Sequence, residues 1–333
     1  MSNKYPILLL PIFLIILTSG CVLPSITPFN SDTPSGTGVI VEEFSPDFQN
    51  VNSGETVTFK LKVKNTGSVT AENGFAELLG LDQIWRRAAG ATPNPTGENF
   101  PDENYCRYTT HQIRLLPEDT NAGITGGETI CSWRYIAPEV LPGLSINAKP
   151  RVRFYYTYRS TTIKTVTLVS RDELKTLQDQ GKSLPSEAYS KTNSPVSIDM
   201  EATTPIRTYG TSIEFPMVIT VKNVGGGTVC LDESVNCKKE GGLMTNPDLY
   251  KLRLNIILPI GLRVAENSCK LTEDIVLVGG DPQTISCKIV ADSSQYIGIA
   301  QKNIELNAQY GYFIDKTTDI YVGPSTLPGA QKG

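Results

Sequence analysis

Two stretches of this chain alternate apolar and polar positions with the same rhythm. Val57, Phe59, Leu61 and Val63 are spaced two apart, as are Phe215, Met217, Ile219 and Val221, at a constant offset of 158 residues. A period of two predicts a strand with one face on a core. Each stretch closes on Asn-x-Gly, Asn65 to Gly67 and Asn223 to Gly225, which predicts a tight turn, because Asn and Gly tolerate the backbone angles such turns need. Two further echoes follow in the same order. Glu103-Asn104-Tyr105-Cys106 matches Glu266-Asn267-Ser268-Cys269, and Thr129-Ile130-Cys131 matches Thr284-Ile285-Ser286-Cys287. Val152 to Val169 and Ile304 to Val322 each read as two β-rich runs, broken at the polar triplets Arg159-Ser160-Thr161 and Asp315-Lys316-Thr317. Three ordered matches predict a duplicated domain. Short strands between Gly, Pro and Asn turns predict that each copy is an antiparallel β-sandwich.

Helical signals are sparse. Ser170 is placed to cap a helix with Glu173 three residues on, Leu174 and Leu177 would share a face, and Gly181 and Pro185 would stop it. A weaker helical pattern covers Leu81 to Ala89. At the N-terminus, Lys4 precedes an apolar run from Ile7 to Leu17, about half of what a membrane-spanning helix needs, so it reads as an export signal. The expected organisation is a signal segment at 1–20, a Pro-, Ser- and Thr-rich flexible tether at 21–38 and a first sandwich at 39–169. A helical linker at 170–194, a second sandwich at 195–323 and a disordered tail at 324–333 follow.

The formal net charge of −4 supplies no basic field, so nucleic acid is not an expected partner. The seven cysteines become six, an even number, once Cys21 is set aside for the signal region, which suits disulfides in an oxidising compartment. The repeat predicts two equivalent bridges, Cys106 with Cys131 and Cys269 with Cys287, because similar residues surround both first cysteines. Cys230 and Cys237 read as a clip across a loop whose Asp232, Glu233 and Asn236 lack the alternation of a calcium-binding loop.

Two resemblances add to this reading. Thr18-Ser19-Gly20-Cys21 resembles the lipobox of bacterial and archaeal lipoproteins, with its leucine one position further back than usual, at Leu17. That resemblance implies lipid on Cys21 and anchorage on the outer face of the cytoplasmic membrane. The segments Gly54 to Phe59 and Val63 to Gly67 resemble the opening strands of CARDB-like surface modules of prokaryotes, archaeal ones included. These modules have an immunoglobulin-like fold and serve adhesion or spacing, so two tandem immunoglobulin-like sandwiches are expected.

The insertion from Glu77 to Tyr105 carries Trp85, Arg86 and Arg87, a composition common in binding hot spots, and is a candidate partner-binding loop. Tyr156 and Tyr158 share one face of a predicted strand, either as sugar-stacking rings or as ordinary strand residues, and Tyr310 and Tyr312 recur in the second copy. The single histidine, His111, has no identifiable catalytic neighbour, and neither a nucleophile elbow nor a phosphate loop is present. No cofactor or metal is expected. The expectation is a non-enzymatic, membrane-tethered surface lipoprotein that meets another envelope protein or a glycan. A carbohydrate-binding or adhesion receptor is the alternative, and a carboxylate-dependent glycoside hydrolase a more distant one.

Overall fold

The computed structural model describes residues 37–88, 105–106, 113–119, 122–231, 237, 248–269 and 273–325. The described chain is mostly β, with one α-helix. The alternating stretches form the central strands of two matching four-stranded sheets. Thr56–Asn65 lies between Val39–Pro46 and Glu128–Ile136, with Arg86–Arg87 beyond. Ser212–Asn223 lies in the same way between Val196–Ala202 and Gln283–Asp292, with Leu262–Val264 beyond. Both central strands bury the predicted residues, Val57, Phe59, Leu61 and Val63 in one and Phe215, Met217, Ile219 and Val221 in the other.

These two small sheets share one large partner. Its axis is a pair of long strands, Arg151–Ser170 and Ile299–Thr317, joined antiparallel from Arg151 opposite Thr317 to Val169 opposite Ile299. Ala71–Leu79 extends the sheet from the first long strand, and Thr228–Cys230 from the second. Side chains from the small and large sheets make one continuous core, in which Phe59, Trp133, Phe154, Met217 and Tyr310 are all buried.

Each long strand leaves its own half and finishes in the other. Past Tyr158, the first one runs beside Val196–Ala202, where the Ser160 hydroxyl donates to the Val196 carbonyl at 2.7 Å and Thr162 donates to the Ile198 carbonyl. Its last residues, Leu168 to Ser170, pair in parallel with Ile206–Thr208 of the second half. The second long strand makes the reciprocal crossing. After Thr317 the chain pairs Ile320–Gly323 in parallel with Asn50–Asn52 of the first half. The sheet of each half is thus completed by a strand from the other.

This exchange corrects the expected break at Arg159-Ser160-Thr161, where the strand runs on unbroken. A polar triplet usually signals a turn because strands rarely bury hydroxyls without partners. Here the opposite half supplies them: Ser160 is 1% exposed and also meets the hydroxyl of Tyr310 at 2.8 Å. In the second copy the strand does end at Thr317. The helix at Ser170 forms over Arg171–Asp179, with the Ser170 hydroxyl accepting from the Glu173 amide at 3.3 Å and Gly181 at φ +65° after its end. The helical expectation for Leu81 to Ala89 is overturned. Arg86 and Arg87 pair with Ile136 and Tyr135 as a sheet edge, so ladder pairing overrides the local pattern.

A protease site placed at Gly181–Ser183, in the exposed segment after the helix, is expected to give two fragments that co-elute at the intact size. They should separate only in denaturant. Fragments that part on a native column would show that the exchanged strands do not hold the halves together.

Candidate functional site

The tyrosines of the long strands meet at their crossing. Thr157 lies opposite Gly311, so Tyr156 faces Tyr312 and Tyr158 faces Tyr310 across a local two-fold axis. All four are at most 2% exposed, which removes them as a sugar-stacking platform. The hydroxyls of Tyr158 and Tyr312 hold the Asn-x-Gly turns instead, and those of Tyr156 and Tyr310 accept from the Val39 and Val196 amides. The Val69 amide donates to Tyr158 Oη at 3.2 Å, Tyr158 reaches Asn65 Oδ1 at 3.5 Å, and Asn65 Nδ2 donates to the Val69 carbonyl at 2.8 Å. The second copy repeats this frame: Gly227 N to Tyr312 Oη at 2.9 Å, Tyr312 to Asn223 Oδ1 at 2.6 Å, and Asn223 Nδ2 to the Gly227 carbonyl at 2.8 Å. A Cβ at Gly67 would collide with the Tyr158 hydroxyl, and one at Gly225 would lie 2.7 Å from that of Tyr312. Glycine is required at both turns by this close approach.

The cysteine pairs form as expected. Cys106–Cys131 bridges the large sheet, through the strand pairing Cys106 with Ala76, to the small sheet, where Cys131 lies opposite Leu61. Cys269–Cys287 forms in the second half, with Cys287 opposite Met217, the place that Trp133 takes opposite Phe59 in the first, and Cys230–Cys237 forms the extra clip. Asp232, Glu233 and Asn236 lie outside the described residues, as do His111 and Cys21. Trp85 is 6% exposed and packs edge-on to Phe59 with ring centroids 6.2 Å apart, so its indole belongs to the core and presents no face to a partner. Arg86 next to it is exposed, while Arg87 is half-buried. Among the described residues no three His, Cys, Asp or Glu side chains are grouped to hold a metal ion, and no helix is long and apolar enough to cross a membrane.

Sequence reasoning missed a cleft of about 270 Å³ on the outer face of the large sheet, beside the crossing point. Its polar walls come from Thr70, Glu72, Thr157, Arg159 and Gln309, over Val69 and Tyr158. Arg159 and Gln309 sit opposite each other on the two long strands, and the guanidinium donates to the Gln309 side-chain oxygen at 2.9 Å. Glu72 pairs with Arg114 at 3.3 Å. Between them the strand carrying Glu72 bulges: the register slips between Tyr155 and Thr157, and Asn73 takes φ +56°. The Asn73 amide donates to Thr157 Oγ1 at 3.1 Å. Bulges of this kind re-aim side chains and gather beside functional sites.

The local two-fold axis carries this cleft onto a second position, which is filled. Phe313 stands where Arg159 stands in the first copy, Tyr155 where Gln309 stands, and Cys230 where Glu72 stands, since Tyr155 is opposite Phe313 as Arg159 is opposite Gln309. Phe75, Tyr155, Phe313, Cys230 and Cys237 form a separate buried cluster there. The Tyr155 ring stacks on Phe75 at 4.5 Å. Arg153 lies over the Phe313 ring at 4.0 Å and donates to both carboxylate oxygens of Asp315, at 2.6 and 2.7 Å. Burial opposes its charge, and the Asp315 carboxylate outweighs that opposition. One position is plugged by rings and a disulfide, the other open and polar.

No protein-family model matches the chain, and no curated protein does. Among solved structures, a Salmonella alpha-2-macroglobulin mutant aligns over 86% of this chain at 10% identity and a TM-score of 0.22, the chain spanning 23% of that protein's length. A collagen adhesin of S. aureus aligns over 87% of this chain and 94% of its own at 7% identity and a TM-score of 0.13. The MSCRAMM ACE of Enterococcus faecalis aligns over 86% and 96% at 8% identity and a TM-score of 0.11.

Burial holds the phenols of Tyr155 and Tyr158 up at about 12 and raises those of Tyr156, Tyr310 and Tyr312 above the ordinary value of 10.0. An unfolded chain ionises these groups first as pH rises, so their contribution to stability is intact below pH 10 and is lost above it. Denaturation midpoints are expected to be flat on the neutral side and to fall steeply above about pH 10, with the tyrosinate absorbance of the buried set appearing together with unfolding. Tyrosinate formed by that set in a still folded chain would contradict the burial.

Proposed function

We propose that this chain is an exported, lipid-anchored surface protein whose two immunoglobulin-like halves act as one rigid spacer or interaction module. The observation that carries the reading is the construction of the described body. Three disulfides suit an oxidising compartment, and the reciprocal exchange of the long strands leaves neither half free to swing on a hinge. Tandem sandwiches joined by a flexible connection move independently by default. Here the joint is itself a sheet.

In this reading the lipobox-like Thr18-Ser19-Gly20-Cys21 places lipid on Cys21, and the residues that follow, to Gly38, serve as the tether. The membrane is then one partner, through the lipid, and an envelope protein or a glycan the other. The role is mechanical and recognitive, with no turnover assigned to it. Among the described lining residues of the cleft there is one carboxylate, Glu72, paired with Arg114.

Mass spectrometry of the mature protein from its native membrane is expected to show an N-terminal peptide beginning at Cys21 with a lipid adduct, released from the membrane fraction by detergent only. A mature chain with an unmodified Cys21, or one recovered in the soluble fraction, would overturn the anchoring.

The tyrosine frames give the rigid body a second test. Tyr312→Phe removes the acceptor of the Gly227 amide and the donor to Asn223. It is expected to cost about 1 to 3 kcal/mol, the usual penalty for stranding a buried polar group. Because one sheet joins the halves, chemical denaturation should still show a single transition with the slope unchanged. A split into two transitions would mean that the halves unfold independently.

A further inference from the structure

We propose that the cleft beside the strand crossing is a binding site for a neutral, polyhydroxylated ligand, a glycosyl unit of one or two rings. This goes beyond the spacer role, which needs no ligand at that position, and it stands or falls independently of the lipid on Cys21.

The first support is the comparison between the two copies. The duplicated scaffold creates the same concavity twice, and the second copy closes it with Phe313, Tyr155 and the Cys230–Cys237 clip. In the first copy the corresponding positions carry Arg159, Gln309 and Glu72, and the concavity is open. The fold is therefore able to fill this space with apolar packing, and the first copy holds polar groups there instead.

The second support is chemical. A sugar hydroxyl both donates and accepts, so a site for it needs acceptors and donors side by side and held still. Glu72 and the Gln309 carbonyl oxygen accept, while the guanidinium of Arg159 and the Gln309 amide nitrogen donate, and the Thr157 hydroxyl between them is committed to the Glu72 carbonyl. Each is preset: Arg159 by Gln309, Glu72 by Arg114, Thr157 by Asn73. The Glu72 carboxylate is already paired with Arg114, and the other lining groups, Thr70, Thr157 and Gln309, are neutral hydrogen-bonding groups of the kind a hydroxyl-bearing ligand meets. The volume, about 270 Å³, falls just under the range of drug-sized sites, which suits one or two rings and not a long chain.

The third support is the backbone. Asn73 holds a left-handed conformation that non-glycine residues seldom adopt, and the bulge there sets the direction of the strand that carries Glu72. In the second copy the residue at this place is Leu231, next to the disulfide.

Saturation-transfer NMR on the full-length purified protein, with a panel of neutral mono- and disaccharides at about 10 mM, tests the proposal at the weak affinities expected of so small a site. At least one saccharide should show transfer, and Arg159→Ala and Gln309→Ala should each weaken its binding by about tenfold or more with melting temperature unchanged, both side chains being exposed. Glu72→Gln, which keeps one acceptor, should lose less than Glu72→Ala. Absence of transfer from every saccharide, binding indifferent to Arg159→Ala and Gln309→Ala, or selective capture of sulfated or carboxylated sugars would each overturn it.

Discussion

The antiparallel pairing of Arg151–Ser170 with Ile299–Thr317 is the constraint on which the rest of the structure depends. A sandwich half with a missing strand exposes a row of unpaired amides and carbonyls along a sheet edge, a liability that folded proteins must cover. In this chain neither half covers its own. The two long strands pass each other at Thr157 and Gly311, and each supplies the edge that the other half lacks. Hydrophobic burial on either side of the crossing then requires it to be in register. A slip of one residue would turn Phe154, Tyr156 and Tyr158 to the outer face.

The crossing also explains why so many hydroxyls are buried. Tyr156, Tyr158, Tyr310 and Tyr312 fill the core with ring area while their oxygens reach the backbone of the small sheets at Val39 and Val196 and of the turns that leave them at Val69 and Gly227. Rings of this kind suit such a place, because they combine a large apolar body with one polar tip that needs a partner. The tyrosines thereby join the layers at points where hydrophobic contact alone would leave their relative position loosely defined. The two Asn-x-Gly turns receive the Tyr158 and Tyr312 oxygens in the same way, with matching partners in the two halves.

Much of this was legible in the residues. The period-two stretches around Phe59 and Met217, the Asn-x-Gly turns, the Ser170 cap and all three cysteine pairings depend on local pattern or on the repeat, and both are visible in a single sequence. The partner of a strand is a different matter. Alternation shows which face of a strand is buried and says nothing of which chain segment lies beside it, so Arg159-Ser160-Thr161 read as a turn although distant acceptors at Val196 and Ile198 hold it extended. Trp85 was misleading for a similar reason: its composition suits a contact surface, and only the neighbouring Phe59 decides that it faces inward. The cleft was invisible because it arises from residues on three separate strands and from a bulge at Asn73 that no residue pattern announces.

One consequence of the exchanged strands concerns time. The first half contains Asn50–Asn52, whose parallel neighbour is Ile320–Gly323, near the far end of the chain. Contacts between segments so distant in sequence form slowly, because a long loop must close before they reward the chain. As the polypeptide emerges, Asn50–Asn52 and Ile146–Ala148 stay without the strand that lies between them until Ile320–Gly323 has been made. That small sheet closes late, although two of its three strands belong to the first half.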